Sequence, residues 1–206
     1  MPFVVFEGLD GSGKSTLIKG LADQLKSQGK TVVLTREPGG TPLGEEIRKL
    51  LLEDGPRAPV PRAELLLYQA GRAQHVDQVI APALEKGQWV ICDRFTASSL
   101  AFQCGGRGLD EQEVRNLNQY AINGVTPDLT VLLKVSVDTA EKRRSQRAHV
   151  DRFEQEKSEF HQRVYEHYLS QVKTEPQKWL VVDGEAATPK ILLEQLLADL
   201  KKRGWV

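Results

Sequence analysis

Cysteine is almost missing from this chain: only Cys92 and Cys104 occur among 206 residues, too few for a disulfide framework. No Cys/His cluster accompanies them at the spacing of a zinc site, so a reduced, intracellular setting is expected. A charge surplus is missing as well. Lys plus Arg total 28, and Asp plus Glu total 28. That balance removes the overall field that would draw the protein to DNA, RNA or an anionic membrane, and any basic site must be local. No basic leader and no long apolar run follow Met1-Pro2-Phe3, so neither secretion nor membrane insertion is expected, and the reading is a cytoplasmic protein. Internal repeats, heptad seams and low-complexity tracts are absent too, which argues against solenoids and coiled coils. No Asn-Lys-x-Asp guanine-reading element follows the fourth apolar run, which weighs against a nucleotide-regulated switch or binding module.

What is present is 40% hydrophobic residues, enough for one domain, 1–206, with a full core. Phe3–Phe6, Thr31–Leu34, Trp89–Cys92, Leu129–Val135 and Trp179–Val182 read as buried strands, separated by longer stretches of helical periodicity. Five such steps imply an α/β fold with a five-stranded parallel sheet covered by helices on both faces. Asp110-x-x-Glu113 and Asp138-x-x-Glu141 look like capping boxes, Thr188-Pro189 like a cap and first-turn proline, and Gly29 and Gly87 like helix stops. Pro82 is expected to kink or break the helix through Val76, Val79 and Ile80. In an open parallel sheet, ligands gather beyond the carboxyl ends of the strands.

The first strand end carries the clearest chemistry. Gly8-Leu9-Asp10-Gly11-Ser12-Gly13-Lys14-Ser15 matches G-x-x-x-x-G-K-[ST], between an apolar strand and a helical stretch, and Thr16 follows it. Glycines let successive N–H groups point inward at phosphate oxygens, the helix N-terminus adds positive potential, and Lys14 brings a full charge. Ser15 is expected to ligate Mg²⁺ through its hydroxyl. Asp93 ends the third strand, where a second acidic element usually holds Mg²⁺, often through water; the alternative is a helix N-cap. Arg94 follows, and its guanidinium fork can span two phosphoryl groups or merely pair on the surface.

Transfer between two anionic molecules needs more cation than Lys14 and Mg²⁺ supply. The run Lys142-Arg143-Arg144-Ser145-Gln146-Arg147-Ala148-His149-Val150-Asp151-Arg152 offers it, as a mobile arginine-rich lid over about 142–153 or as a solvated helix face. His149 is read as lid surface, since a monophosphate oxygen needs no general base. Glu37-Pro38-Gly39-Gly40-Thr41 forms a rigid turn that projects Glu37 toward the strand-end crevice. Arg48 is either an acceptor-phosphate ligand or plain helix surface. Ser99 and Gln103 are four apart, so on a helix they share a face beside Phe102 and could read a base; Tyr68 and Arg72 form a second such pair, although Tyr68 fits the core equally well.

Taken in order, Glu7–Thr16, Thr35–Thr41, Asp93-Arg94-Phe95, Ser98–Gln103, Gly106-Arg107-Gly108 and Asp151–Glu154 resemble the thymidylate kinases of bacterial type along nearly the whole chain. The resemblance implies a P-loop kinase fold, usually dimeric, and the reaction of ATP with dTMP to give ADP and dTDP with Mg²⁺. It implies that Gly8 to Thr16 hold ATP, that Asp10 meets the sugar 3′-hydroxyl, and that Arg48 and Arg94 hold the dTMP phosphate beside Glu37 and Pro38. Arg72, Ser99 and Gln103 would read the thymine edge, and Tyr68 would stack on it. Phe102 stands where the family has a tyrosine that crowds the sugar C2′, and Phe95 where tyrosine is commoner. Ser12 replaces an arginine some relatives carry in the loop, which shifts phosphate bridging to Arg147, with Arg143 and Arg152 in support. A kinase for another nucleoside monophosphate or a deoxynucleoside is the alternative.

Overall fold

The computed structural model describes residues 2–146 and 151–206. Five strands form one parallel sheet: β1 (Phe3–Glu7), β2 (Val32–Arg36), β3 (Trp89–Asp93), β4 (Leu129–Lys134) and β5 (Trp179–Asp183), in the spatial order β2-β3-β1-β4-β5. Parallel neighbours need long crossovers, and helices supply them. These are α1 (Lys14–Ser27), α2 (Pro42–Leu52), α3 (Pro61–His75), α4 (Ala81–Glu85), α5 (Thr96–Ser99), α6 (Glu111–Ile122), α7 (Val137–Arg144), α8 (Ser158–Thr174) and α9 (Pro189–Lys202).

The three central strands β3, β1 and β4 are buried almost throughout because helices cover both faces, while the edge strands β2 and β5 stay partly exposed. Along β1, Val4 and Phe6 point into a cluster with Leu17, Leu21 and Leu25 of α1 and Leu196 of α9, while Phe3 and Val5 point the other way, toward Val76, Ile80 and Phe95. A third cluster packs Leu132 of β4 against Phe160, Val164 and Tyr168, the buried stripe of α8. Leu21 and Leu25 are fully buried, each contributing about 2 kcal/mol by removal from water.

Helix ends follow the sequence with one exception. Asp110 accepts from Glu113 N at 2.9 Å, Thr188 from Ile191 N at 3.4 Å, and Thr41 from Gly44 N at 2.9 Å. Asp138, however, caps nothing: Ser136 is the N-cap of α7, accepting from Thr139 N at 3.3 Å, and Asp138 sits in the first turn. Ser136 wins because Glu185 accepts its hydroxyl at 2.5 Å and its N–H at 2.6 Å, bracing the cap from beyond β5. Around Pro82 the chain neither stops nor bends into a loop. A wide π-type turn over Val76–Ile80 joins α3 to α4, and Pro82 falls in the first turn of α4, where its missing N–H costs least. The stretch after Phe95 is likewise less regular than a helix period suggests, since α5 passes into a π-type segment over Leu100–Gly106.

Register places the chemistry. Phe6 of β1 pairs with Asp93 of β3, and Arg36 of β2 pairs with the same residue. The glycine-rich loop, the turn after β2 and the Asp93-Arg94-Phe95 segment therefore leave the sheet at one level, around its central strands.

Candidate active site

Gly8 and Gly11 make the loop possible. Both have positive φ, +133° and +89°, and a Cβ would meet Leu133 O or Ala140 O at 2.6 Å. Lys14 folds back across the curl, its Nζ donating to Gly8 O at 3.0 Å and Leu9 O at 3.2 Å. Its ammonium is shifted below the usual lysine range, chiefly by burial and then by Arg94, with Asp93, Asp10 and Glu7 opposing. Leu9 is buried under the loop, Gly13 precedes α1 in left-handed geometry, and Ser15 and Thr16 are exposed at the start of that helix. Ser12 Oγ is buried with no hydrogen-bond partner among the described residues.

Asp93 lies at the carboxyl end of β3, and its Oδ1 is buried with no partner among the described residues. It caps no helix, because α5 begins beyond it, after Phe95. A carboxyl group left with an unused buried oxygen beside a lysine-bearing phosphate loop suits a Mg²⁺–phosphate complex. Among the described residues no group of three or more His, Cys, Asp or Glu could form a metal cage.

Arg94 adopts φ +72°, rare for a residue with a side chain and costing about 1 kcal/mol. The conformation sends its guanidinium back over the loop. Nη2 donates to Asp10 Oδ1 at 2.8 Å, and Nη1 donates to Ser98 Oγ at 3.2 Å and Tyr168 OH at 3.1 Å. The group also lies 5.1 Å from the centre of the Phe102 ring. Burial works against the Asp10 carboxylate, but Arg94 and Lys14 together hold its pKa well below the ordinary value. Asp10 is thus an acceptor only.

What holds Arg94 in place was not visible from the motifs. Glu7, the last residue of β1, is fully buried and accepts from Phe95 N at 2.9 Å, Ser98 N at 3.2 Å, Ser98 Oγ at 2.6 Å and Tyr168 OH at 2.8 Å. Burial raises its pKa, against Arg94 and these donors. An acid ending an apolar strand just before the glycine loop is the one local signal for it. Tyr168 and Ser98 carry none.

A cleft opens beside Arg94, and every residue expected to face the acceptor lines it. Asp10, Arg48 and Arg94 stand toward the loop; Glu37, Arg72, Ser99 and Gln103 form the polar wall; Pro38, Tyr68 and Phe102 are the remaining expected members. Leu52, Asp151 and Phe153 also line it, unforeseen. Arg48 Nη1 donates to Pro38 O at 2.9 Å. Arg72 is only 1% exposed and most of its fork is engaged: Nε donates to Glu37 at 2.8 Å, Nη1 is shared among Gln69 at 3.1 Å, Ser99 at 3.0 Å and Asn118 at 2.6 Å, and Nη2 donates to Phe95 O at 3.1 Å. Glu37 reaches the crevice as expected, and its second oxygen meets His75 Nδ1 at 3.0 Å, whose Nε2 lies 2.6 Å from Thr35 Oγ1. Tyr68 packs edge-on to Phe153 at 6.3 Å, and Phe102 to Phe153 at 5.9 Å.

The arginine run divides. Arg147 and His149 lie outside the described residues. Arg143 donates to Gly184 O at 3.0 Å and Gly11 O at 3.4 Å, and Arg144, which the sequence reading did not single out, donates to Asp10 O at 3.2 Å. Arg152 reaches Leu51 O at 3.1 Å and Glu64 at 2.8 Å.

A family model described as "Thymidylate kinase" matches residues 6–194. The chain belongs to the thymidylate kinase family. It is 50% identical over 208 residues to a thymidylate kinase of Bdellovibrio bacteriovorus, covering 98% of this chain and 97% of that protein. A thymidylate kinase of Geobacter sulfurreducens is 45% identical over 210 residues, at 98% and 99% coverage. Another, from Trichlorobacter lovleyi, is 47% identical over 188 residues, at 88% and 89%. Thymidylate kinases are phosphotransferases, and the five-stranded parallel sheet with helices on both sides agrees with their P-loop architecture. No helix among the described residues is long and apolar enough to cross a membrane.

Proposed function

We propose that this enzyme transfers the γ-phosphoryl group of ATP to dTMP, giving ADP and dTDP for the dTTP supply of DNA synthesis, as a Mg²⁺-dependent cytoplasmic homodimer. The observation that carries the reading is Arg94, which is bonded to Asp10 of the phosphate loop while lining the neighbouring cleft, so one guanidinium faces both nucleotide sites. ATP phosphates take the backbone N–H groups of residues 8–16, with Lys14 exchanging its two carbonyl contacts for phosphate oxygens. Mg²⁺, held through Ser15 and Asp93, would neutralise charge on the donor phosphates. Arg94 and Arg48 draw the acceptor phosphate in line, and Asp10 accepts from the sugar 3′-hydroxyl. No general base is required, because the acceptor oxygen is already ionised. The Phe102 ring, edge-packed on Phe153 and Phe160, fills the side where a 2′-hydroxyl would stand. Arg147, with Arg143 and Arg152, is proposed to complete the charge clamp. The homodimer is supported by Leu43 and Leu50 of α2 and Leu66 of α3, which are about half exposed on adjoining helices.

A coupled ADP-release assay across nucleoside monophosphates tests this. With MgATP, dTMP should give the highest kcat/KM, and ATP alone almost no phosphate release. Higher turnover with another monophosphate would reassign the substrate. Rapid hydrolysis without acceptor would overturn the transfer mechanism.

A further inference from the structure

We propose that Glu64 decides which pyrimidine edge the cleft accepts, by fixing the orientation of the Gln103 amide. The inference rests on the reading above that Gln103 lies against the base. Glu64 is fully buried in the first turn of α3. Its carboxylate takes Gln103 Nε2 at 2.9 Å, Arg107 Nε at 3.2 Å and Arg152 Nη2 at 2.8 Å. Clasped by two guanidinium groups, it offers only lone pairs, so it must face the NH₂ half of the amide. The 180° flip would set the amide oxygen against a buried carboxylate, which nothing there compensates. The oxygen Oε1 is therefore the half left without a partner among the described residues, on a side chain that lines the cleft.

The neighbouring groups are committed in the opposite sense. Ser99 Oγ accepts from Arg72 Nη1, which frees its hydrogen to donate, and Arg72 Nη2 spends one N–H on Phe95 O and keeps another. The polar wall thus presents donors at Arg72 and Ser99 and an acceptor at Gln103. A 4-oxopyrimidine carries the complement, a carbonyl beside an N3–H. A 4-aminopyrimidine carries the reverse, an amino donor beside a bare N3, and meets like against like at both places. Glu64 touches no base in this scheme; it is a positioning residue acting through Gln103.

The test compares kcat/KM for dTMP and dCMP in the wild type, Glu64→Gln and Arg107→Met. Glutamine at 64 keeps the volume but offers both donor and acceptor, so the Gln103 amide can sit either way. The ratio of the two kcat/KM values does not depend on how much enzyme is folded, which removes loss of stability from the readout. We expect the dTMP preference to fall about tenfold or more in Glu64→Gln, while Arg107→Met, which loosens the same cluster and leaves the carboxylate, keeps the ratio within about twofold. An unchanged ratio in Glu64→Gln, or an equal shift in Arg107→Met, overturns the proposal. If Glu64→Gln gives no soluble enzyme, the wild type decides: N3-methyl-dTMP should bind at least about tenfold more weakly than dTMP, and equal binding refutes an acceptor at that place. A wild type inactive on dTMP would instead refute the functional reading beneath it.

Discussion

Tyr168→Phe isolates the support under Arg94. The phenol is fully buried on α8, and burial, reinforced by Glu7, pushes its pKa well above the ordinary range, so it stays a donor at any working pH. It gives its proton to Glu7 at 2.8 Å and takes one from Arg94 at 3.1 Å. Removing the oxygen leaves the ring and opens almost no cavity. Glu7 retains three donors and Arg94 retains Ser98 and Asp10, so no charge is orphaned. The loss is one hydrogen bond to a charged acceptor and one from a charged donor, offset by the dehydration no longer required, or about 1–2 kcal/mol. For a chain of this length that lowers Tm by about 2–8 °C. Arg94 also loses one of its three side-chain anchors, and a clamp loosened by about 1 kcal/mol costs roughly fivefold in kcat/KM for dTMP. Calorimetry and the coupled assay read both numbers. A Tm within about 1 °C of wild type, together with unchanged kcat/KM, would show that the Glu7–Tyr168 bond does not position Arg94.

Asp93→Asn should lower kcat by about 100-fold at saturating MgATP, with dTMP binding measured without metal unchanged; near-normal turnover would remove Asp93 from the metal site. Glu185 is held at a pKa of about 2, first by the Ser136 hydroxyl and then by the Ser136 N–H. Because the folded value is depressed, its contribution is present above the unfolded value near 4.5 and fades as pH falls toward 2. A carboxyl NMR titration with a midpoint near 4.5 would contradict the brace. Burial raises the Cys104 thiol to about 12 and lifts Cys92 well above the ordinary thiol value, so the native protein should react with a thiol reagent at pH 8 only on the timescale of unfolding. Labelling within minutes would refute this.

Local chemistry explains which parts were legible. Short apolar runs mark the strands whether central and buried, as in β1, β3 and β4, or at the partly exposed edges, as in β2 and β5, so all five were found, with edges moved by one or two residues. The phosphate loop announces itself because glycine is needed where a Cβ would strike Leu133 or Ala140. The cleft-lining residues were gathered by family resemblance more than by physics: Arg48 and Tyr68 read as surface or core just as well, and topology alone brings them to the strand ends. Glu7 with Tyr168, and Glu64 with Arg152, stayed hidden because their partners lie 161 and 88 positions apart. The i, i+4 spacing of Ser99 and Gln103 puts them on one face only of a helix, and the segment after Phe95 winds as a short α turn and then a π-type stretch, a distinction residue types do not carry.

Arg143 and Arg144, at the end of α7, are fastened to the carbonyls of Gly11 and Asp10. Those carbonyls belong to the same peptide units whose neighbouring amides would face a triphosphate. The end of α7 therefore hangs from the donor cradle by two guanidinium tethers, and anything that reshapes the cradle tugs on the start of the arginine run. If ATP loads that loop, these tethers would couple its binding to the end of α7, and a change at residue 143 or 144 would be felt first as altered ATP affinity.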